Sequence, residues 1–125
     1  MIEHGLTITE TEWIMYVVID KGVILDDSNF LQKIEFVINK CKEKNKTRLL
    51  VDTSAAIRKV SVMKLFDGTK LLQKLGVVGF KIAIISPQLA EHEDSKFVEN
   101  VANFSIHIPL QYFKNKDKAL EWLLK

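Results

Sequence analysis

The sequence predicts an α/β domain built around a sheet of mostly parallel strands. Short runs of branched and aromatic apolar residues alternate with longer segments whose apolar residues recur at helical spacing, and this strand–helix order occurs four times. Strands that are separated by helices pair in parallel through right-handed crossovers. With 125 residues, the chain has close to the commonest size of one domain, so we expect residues 1–125 to form a single domain.

The N-terminal segment predicts a hairpin at one edge of this sheet. Residues 6–11 (LTITET) alternate between apolar and polar, which is the period of a half-exposed strand, whereas residues 13–19 (WIMYVVI) are apolar throughout. Glu12 lies between the two runs, where a tight turn fits. We therefore expect residues 6–11 to be an antiparallel edge strand that pairs with a buried second strand.

The next segments predict two helices and the strand between them. Four residues, Asp26 to Asn29, offer N-caps for a helix that ends near Lys44. Residues 48–51 then form a strand, and Ser61 caps a second helix that ends at Leu75, before Gly76. The apolar stripe of this second helix is expected to face the core and consists of Val62, Leu65, Phe66, Leu72 and Leu75.

The third unit begins with a strand over residues 80–85. Ser86 and Pro87 follow, a hydroxyl N-cap and a proline at the first helical position, so we expect a helix from there to about Asn103.

The last unit is predicted to be a short strand over residues 105–108 and a C-terminal helix. Either Asn115 or Asp117 can cap that helix, whose sequence KALEWLLK places apolar residues on one face.

Composition and charge exclude several classes of protein. Apolar residues make up 47% and charged residues 27%, which is an ordinary globular balance, and the net charge of +2 is too small and too evenly spread to predict binding to nucleic acid or to an anionic membrane. The only cysteine, Cys41, cannot form an internal disulfide and is expected to be a core residue of the first helix. The N-terminus lacks a signal-peptide pattern and no apolar run reaches the roughly 20 residues of a membrane span, so we expect a cytoplasmic protein.

Two short motifs, residues 49–52 (LLVD) and residues 119–123 (ALEWL), accompany this order of elements. Together they resemble the STAS domain, and specifically its SpoIIAA-like branch, over essentially the whole chain. The resemblance implies a (βα) superhelix with four parallel strands, an antiparallel N-terminal edge strand, and four helices that pack mainly on one face of the sheet.

The resemblance also draws attention to Ser61. In the anti-sigma-factor antagonists of this family, a serine in a D-S-S/A-G motif is phosphorylated at the start of a helix, and the added charge switches partner binding. Asp52 and Ser61 stand at the matching positions, with Ser54 in the loop between them, but Ser61 has no aspartate before it and no glycine after it. Because serine is among the best N-caps, we expect a cap, with a switch or partner interface at Asp52, Ser54 and Ser61 as the alternative.

A second candidate site is the carboxyl edge of the sheet. Asp20, Asp52 and Ser86 each follow a parallel strand, and this edge is where α/β proteins bind ligands. These side chains could serve as acid–base groups or bind a cation, but turns and helix caps require the same residue types. The three histidines show no metal-ligand spacing, and we expect no catalytic residue, metal or cofactor.

The buried strands are apolar on both faces, a pattern typical of strands that are covered on both sides. If helices cover mainly one face, the other needs the last helix with Trp122, a bound apolar ligand, or a second copy of the chain. A homodimer is the simplest of these and is our expectation.

These observations favour a non-catalytic protein-interaction domain that has a regulatory protein partner and lacks the usual D-S-S-G motif. One alternative is a carrier of an apolar or lipid-like ligand, because the CRAL-TRIO lipid-binding domains share this fold. A weaker alternative is a small enzyme that uses Asp20 and Asp52. A deep apolar cavity would favour the carrier, a cleft that holds both aspartates would favour the enzyme, and a flat surface would favour the interaction domain.

Overall fold

A six-stranded mixed sheet forms the centre of the structure, which is a computed structural model that describes residues 2–90 and 92–125. Along the chain, the elements are β1 (Ile2–Glu3), β2 (Leu6–Glu10), β3 (Ile14–Ile19), β4 (Ile24–Asp26), α1 (Phe30–Glu43), β5 (Arg48–Asp52), β6 (Ile57–Lys59), α2 (Val62–Lys74), β7 (Lys81–Ile85), α3 (Glu93–Asn100), a π-helical segment (Val101–Ser105), β8 (Leu110–Phe113) and α4 (Lys116–Leu123).

The central sheet has the spatial order β1-β2-β3-β5-β7-β8. Strands β3, β5, β7 and β8 pair in parallel and β2 pairs antiparallel with β3, so the predicted α/β class, with four parallel strands and an antiparallel N-terminal strand, is confirmed. One detail was wrong, because β2 is not the edge strand: Ile2 and Glu3 form β1, which pairs with its outer side.

A second sheet was not predicted. Its two strands, β4 and β6, pair in parallel and join the loop after β3 to the loop after β5. Two backbone hydrogen bonds strengthen this junction: Gly22 N–H donates to the carbonyl of Ala55, and Ile57 N–H donates to the carbonyl of Val23. The small sheet therefore holds residues 57–59 over the carboxyl end of the central sheet.

Helices α1 and α2 have nearly the predicted bounds but differ in how they begin. Asn29 occupies the N-cap position of α1, yet its side chain holds the preceding loop: Nδ2 donates to the carbonyl of Ile24, and Oδ1 accepts from the N–H of Asp26. Val62 was expected to face the core but is exposed, since it lies in the first turn of α2 at the rim of the helix layer.

The helix after β7 does not begin at Ser86, which corrects the predicted cap. Ser86 continues the sheet instead, because its N–H donates to the carbonyl of Phe113, and its own carbonyl accepts from the N–H groups of Leu89 and Ala90 in a turn. The N-cap of α3 is His92, whose Nδ1 accepts from the N–H of Asp94.

The predicted strand over residues 105–108 was also wrong. Helix α3 runs on as a π-helical segment to Ser105, and His107 then takes a left-handed backbone conformation, with φ +56°, that interrupts any extended run. The fourth parallel strand is therefore β8, which begins at Leu110.

The last helix covers the second face of the sheet. Asn115, one of the two predicted candidates, caps α4 by accepting from the N–H of Lys118, and Ala119 and Leu123 pack against buried residues of the sheet. Lys81 fixes the far end of the helix: its Nζ donates to the carbonyl of Trp122 at 2.7 Å and lies 4.6 Å from the centre of the indole ring. The last helix, a bound apolar ligand and a second copy of the chain were the three candidates for covering this face, and the structure shows the last helix there. Strands that are apolar on both faces therefore do not require a second copy of the chain. The homodimer stays a prediction without that support.

The main core lies on the other face, beneath α1, α2 and α3. Cys41 is fully buried there, as expected, and burial raises the pKa of its thiol to about 12. Trp13, which was expected to belong to the buried second strand, is 60% exposed because it precedes β3 in the turn.

Candidate functional site

The carboxyl ends of β3, β5 and β7 meet at one edge of the sheet, as the sequence predicted. Val18 lies opposite Asp52, and Asp52 lies opposite Ile85, so the loops that follow these strands start side by side. All three candidate edge residues, Asp20, Asp52 and Ser86, are located at this edge.

The structure does not combine them into one cluster. Asp20 accepts a hydrogen bond from the hydroxyl of Thr7 at 2.6 Å. Asp52 accepts from both the N–H and the hydroxyl of Ser54, at 2.9 Å and 2.6 Å. Each carboxylate thus has a partner in its own hairpin or loop, which is the turn-forming role that was considered beside the functional one.

Ser86 and Asp52 also lie on opposite faces of the sheet, because side chains alternate along a strand. Asp52 is two residues after Leu50 and so shares its face, which packs under α4. Ser86 comes one residue after Ile85, which also packs under α4, and so lies on the opposite face, beneath α1, α2 and α3. The candidate edge therefore divides between the face beneath α4, where Asp52 lies, and the face beneath α1, α2 and α3, where Ser86 lines a cavity.

A cavity of about 140 Å³ lies between the sheet and helices α1, α2 and α3. Most of its lining is apolar and comes from all of these elements, for example Ile34, Val37, Leu72, Ile82, Val98 and Leu110. Asp20 and Asp52 do not line it. Its volume is close to that of cavities of about 150 Å³ that bind benzene.

The cavity has a few polar lining residues, and most of their groups are engaged. The hydroxyl of Thr53 donates to the carbonyl of Ile85, and that of Thr69 donates to the carbonyl of Phe66. At the rim, Nζ of Lys33 donates to the carbonyl of His4.

Two polar lining atoms have no hydrogen-bond partner among the residues that the structure describes: Ser86 Oγ and Arg58 Nε. Ser86 is only 1% exposed. Arg58 lies in β6 between two exposed neighbours, Ile57 and Lys59, so strand alternation directs its half-buried side chain inward. Unpaired buried donors are rare in proteins, and they are found where a ligand, a water or an ion completes the site.

Tyr112 lines the same cavity from β8. Burial raises the pKa of its phenol, the positive charge of Arg58 partly offsets this, and the carboxylate of Glu99 adds to it. The phenol is therefore protonated at neutral pH and can act as a neutral hydrogen-bond group.

Ser61 lies outside the cavity, exposed at the N-terminus of α2. Its Oγ accepts from the N–H of Lys64 at 3.2 Å, so the predicted cap is confirmed. Its own N–H donates to Oδ1 of Asp27 at 2.8 Å, and this hydrogen bond is the main reason that the pKa of Asp27 lies below its ordinary value. A phosphate on Ser61 would meet this carboxylate, and repulsion between like charges opposes the phosphoswitch interpretation.

The sequence did not identify Arg58 or Tyr112 as site residues. Arg58 belongs to a three-residue strand that was expected to be a loop, and Tyr112 follows the strand that was placed too early. The sequence offered one weak signal in advance: Arg58 is the only arginine in a segment, residues 52–61, that contains several turn-forming residues.

Among residues 2–90 and 92–125, no group of three or more histidine, cysteine, aspartate or glutamate side chains is arranged to hold a metal ion. In the same part of the chain, every helix is too short or too polar to cross a membrane.

The sequence matches no protein-family model and no curated protein. Solved structures do match. One is an uncharacterised protein of the DUF3478 family with a SpoIIAA-like fold from Shewanella loihica PV-4: the TM-score is 0.56 at 23% identity, over 94% of this chain and 91% of that one.

Another is a protein from Thermotoga maritima that is proposed to be an anti-sigma factor antagonist, with a TM-score of 0.60 at 13% identity, over 98% of this chain and 97% of that one. At these identities the likeness concerns the fold. The chain therefore has the SpoIIAA-like α/β fold, in which an antiparallel N-terminal strand precedes four parallel strands.

Proposed function

We propose that this protein is a non-catalytic domain that binds a small, mostly apolar molecule in the cavity between its sheet and helices α1 to α3. The observation that carries this proposal is the cavity itself, about 140 Å³ in volume and lined almost entirely by apolar side chains. Concave, mostly apolar pockets with a few polar groups are the usual form of small-molecule binding sites, and this pocket has that form.

The same observation ranks the functions that the sequence left open. A deep apolar cavity was the feature that would favour a ligand carrier, and the apolar cavity beneath α1, α2 and α3 supports that function. An enzyme that uses Asp20 and Asp52 would need a cleft that holds both. Neither carboxylate lines the cavity, and each has a hydrogen-bond partner from a turn or a neighbouring strand. The carrier is therefore the function that we place first.

A protein-interaction role is the second candidate, and one surface favours it. Met63, Phe97 and Phe104 are 67%, 50% and 77% exposed and belong to the start of α2 and to the α3–π-helical segment, which contact each other. The rings of Phe66 and Phe97 lie 5.9 Å apart and connect the two elements. Ser61 adjoins this surface, and exposed apolar side chains that cluster are typical of protein interfaces.

Toluene binding followed by NMR tests the carrier function. We expect toluene to shift the methyl resonances of cavity residues in the wild-type protein. Val98 is 3% exposed and lines the cavity, so Val98→Phe should fill it and abolish these shifts.

The matched control is Val78→Phe, because Val78 is 90% exposed and does not line the cavity. This variant should bind toluene as the wild type does. Methyl shifts that are confined to surface residues, or that persist in Val98→Phe, would contradict the carrier function.

The interaction role has a separate test. A regulatory partner that is recovered with the wild type and with Val98→Phe, but lost with Met63→Lys, would support it. A partner that is retained by Met63→Lys would contradict an interface at this surface.

A further inference from the structure

The polar residues that line the cavity have a definite chemical character. Its described lining residues include two cations, Lys33 and Arg58, and no acidic side chain. Nζ of Lys33 donates to a backbone carbonyl, whereas the buried Nε of Arg58 has no hydrogen-bond partner among the described residues.

The guanidinium group of Arg58 presents its donors in a flat fork that suits carboxylates. No described acidic side chain forms an ion pair with it. Glu99, whose charge acts on Tyr112 as that of Arg58 does, has other partners: Oε2 accepts from the N–H of Tyr112 at 2.8 Å, and Oε1 lies 3.6 Å from Nζ of Lys96. Among the described residues, this half-buried cation therefore has no anionic partner.

Ser86 supplies the second unmet group. Its backbone N–H and carbonyl are both satisfied by the sheet and the turn, but its fully buried Oγ has no partner among the described residues. A buried hydroxyl without a partner costs free energy, so a serine at a position that alanine could fill indicates an absent acceptor or donor.

From these observations we infer that the molecule in the cavity carries one anionic group, of the carboxylate type, which Arg58 and Ser86 hold at the carboxyl edge of the sheet. This inference rests on the carrier function and specifies its ligand class: a compact apolar body with a single acidic end. An apolar body of benzene size suits the volume, and benzoate is the simplest probe with both features.

The test compares the affinities of benzoate and benzamide, its neutral isostere, by calorimetry. The wild type should prefer benzoate, and Arg58→Met should remove that preference by weakening benzoate about 10- to 100-fold, as expected for a hydrogen bond to a charged group. Lys59→Met is the matched control, since it removes a cation from the next, exposed position of β6 and should leave the preference unchanged.

Ser86→Ala provides a second variant whose folding is not at risk, because it removes an unpaired buried hydroxyl. It should weaken benzoate by about 10- to 100-fold, because the hydroxyl donates to the carboxylate and hydrogen bonds to charged groups are the stronger ones. Equal affinities of benzoate and benzamide for the wild type, or equal losses in Arg58→Met and Lys59→Met, would overturn the inference while the carrier function stands. Unchanged benzoate affinity in Ser86→Ala would overturn the role of Ser86.

Failure of toluene, benzoate and benzamide alike to bind would overturn the carrier function itself, and the inference with it.

Discussion

Removal of the Ser61 hydroxyl is expected to destabilise the protein through the N-terminus of α2. In the folded chain, Ser61 Oγ accepts from the N–H of Lys64, which would otherwise lack a partner within the helix. Ser61→Ala leaves this N–H to water. Replacing a serine N-cap by alanine typically costs about 1 kcal/mol, and since Ser61 is exposed we expect a value at or below this figure. For a domain of this size, that corresponds to a fall in Tm of about 3–5 °C.

An aspartate at the same position should behave differently from one at an ordinary cap. Aspartate caps helices as well as serine does, and its charge suits the helix dipole. Here, however, Asp27 already accepts from the N–H of residue 61, so a second carboxylate would lie beside the first. We therefore expect Ser61→Asp to gain less than the dipole alone would give, and to gain more in a background that carries Asp27→Asn.

Urea denaturation of the single and double variants measures these differences, with Ser105→Ala as the control at an exposed serine that caps no helix. A loss in Ser61→Ala no larger than that in Ser105→Ala would refute the cap. If Ser61→Asp changed the binding of a partner while Ser61→Ala did not, the partner would respond to negative charge at residue 61. That result would support the phosphoswitch interpretation despite the missing motif.

The remaining predictions concern one residue or one property each. Cys41 should resist thiol reagents in the native protein and react fully after denaturation, because burial raises the pKa of its thiol to about 12; rapid native labelling would contradict its place in the core. Asp27→Asn should lower Tm at neutral pH, and the difference from wild type should shrink as the pH falls below 3.8, since a carboxyl whose folded pKa is lowered stabilises the fold only while it is ionised; a difference that does not depend on pH would show that the charge is irrelevant. Gly76→Ala should lower the free energy of unfolding by about 1 kcal/mol in urea denaturation, because Gly76 ends α2 with φ +66°, a left-handed conformation that a side chain strains. Light scattering at micromolar concentration tests the predicted homodimer, which a particle of 14.4 kDa would contradict.

Most of the fold was predictable because it depends on local signals. The strand over residues 48–51, the cap at Ser61, the stop at Gly76 and the cap at Asn115 each combine an apolar pattern with a residue whose backbone chemistry suits the position. The four strand–helix units then restrict the topology to parallel pairing, which the structure has.

The elements that were missed depend on contacts far along the chain. Strands β4 and β6 have three residues each, and pairing across more than thirty residues is what makes them strands. The π-helical segment likewise adds a helical turn that no pattern in the sequence predicts. Because this turn occupies residues up to Ser105, the last strand begins at Leu110 rather than at residue 105.

The sequence placed Asp20, Asp52 and Ser86 at the carboxyl edge of the sheet, and they lie there. Of the three, only Ser86 lines the cavity, and a ligand site at this edge stays a prediction. Arg58 could not be predicted as a lining residue, because the small β4–β6 sheet places this side chain over the central sheet. The cavity itself results from how three helices meet one sheet face, which no single segment encodes.

A crystal structure of the protein in the presence of saturating toluene tests the central claim most directly. The carrier function predicts electron density for one ring between the sheet and helices α1 to α3, in contact with Leu72 and Val98, with the backbone unchanged. A cavity that has closed by collapse of the helices onto the sheet, or that stays without a ring at saturation, would contradict it.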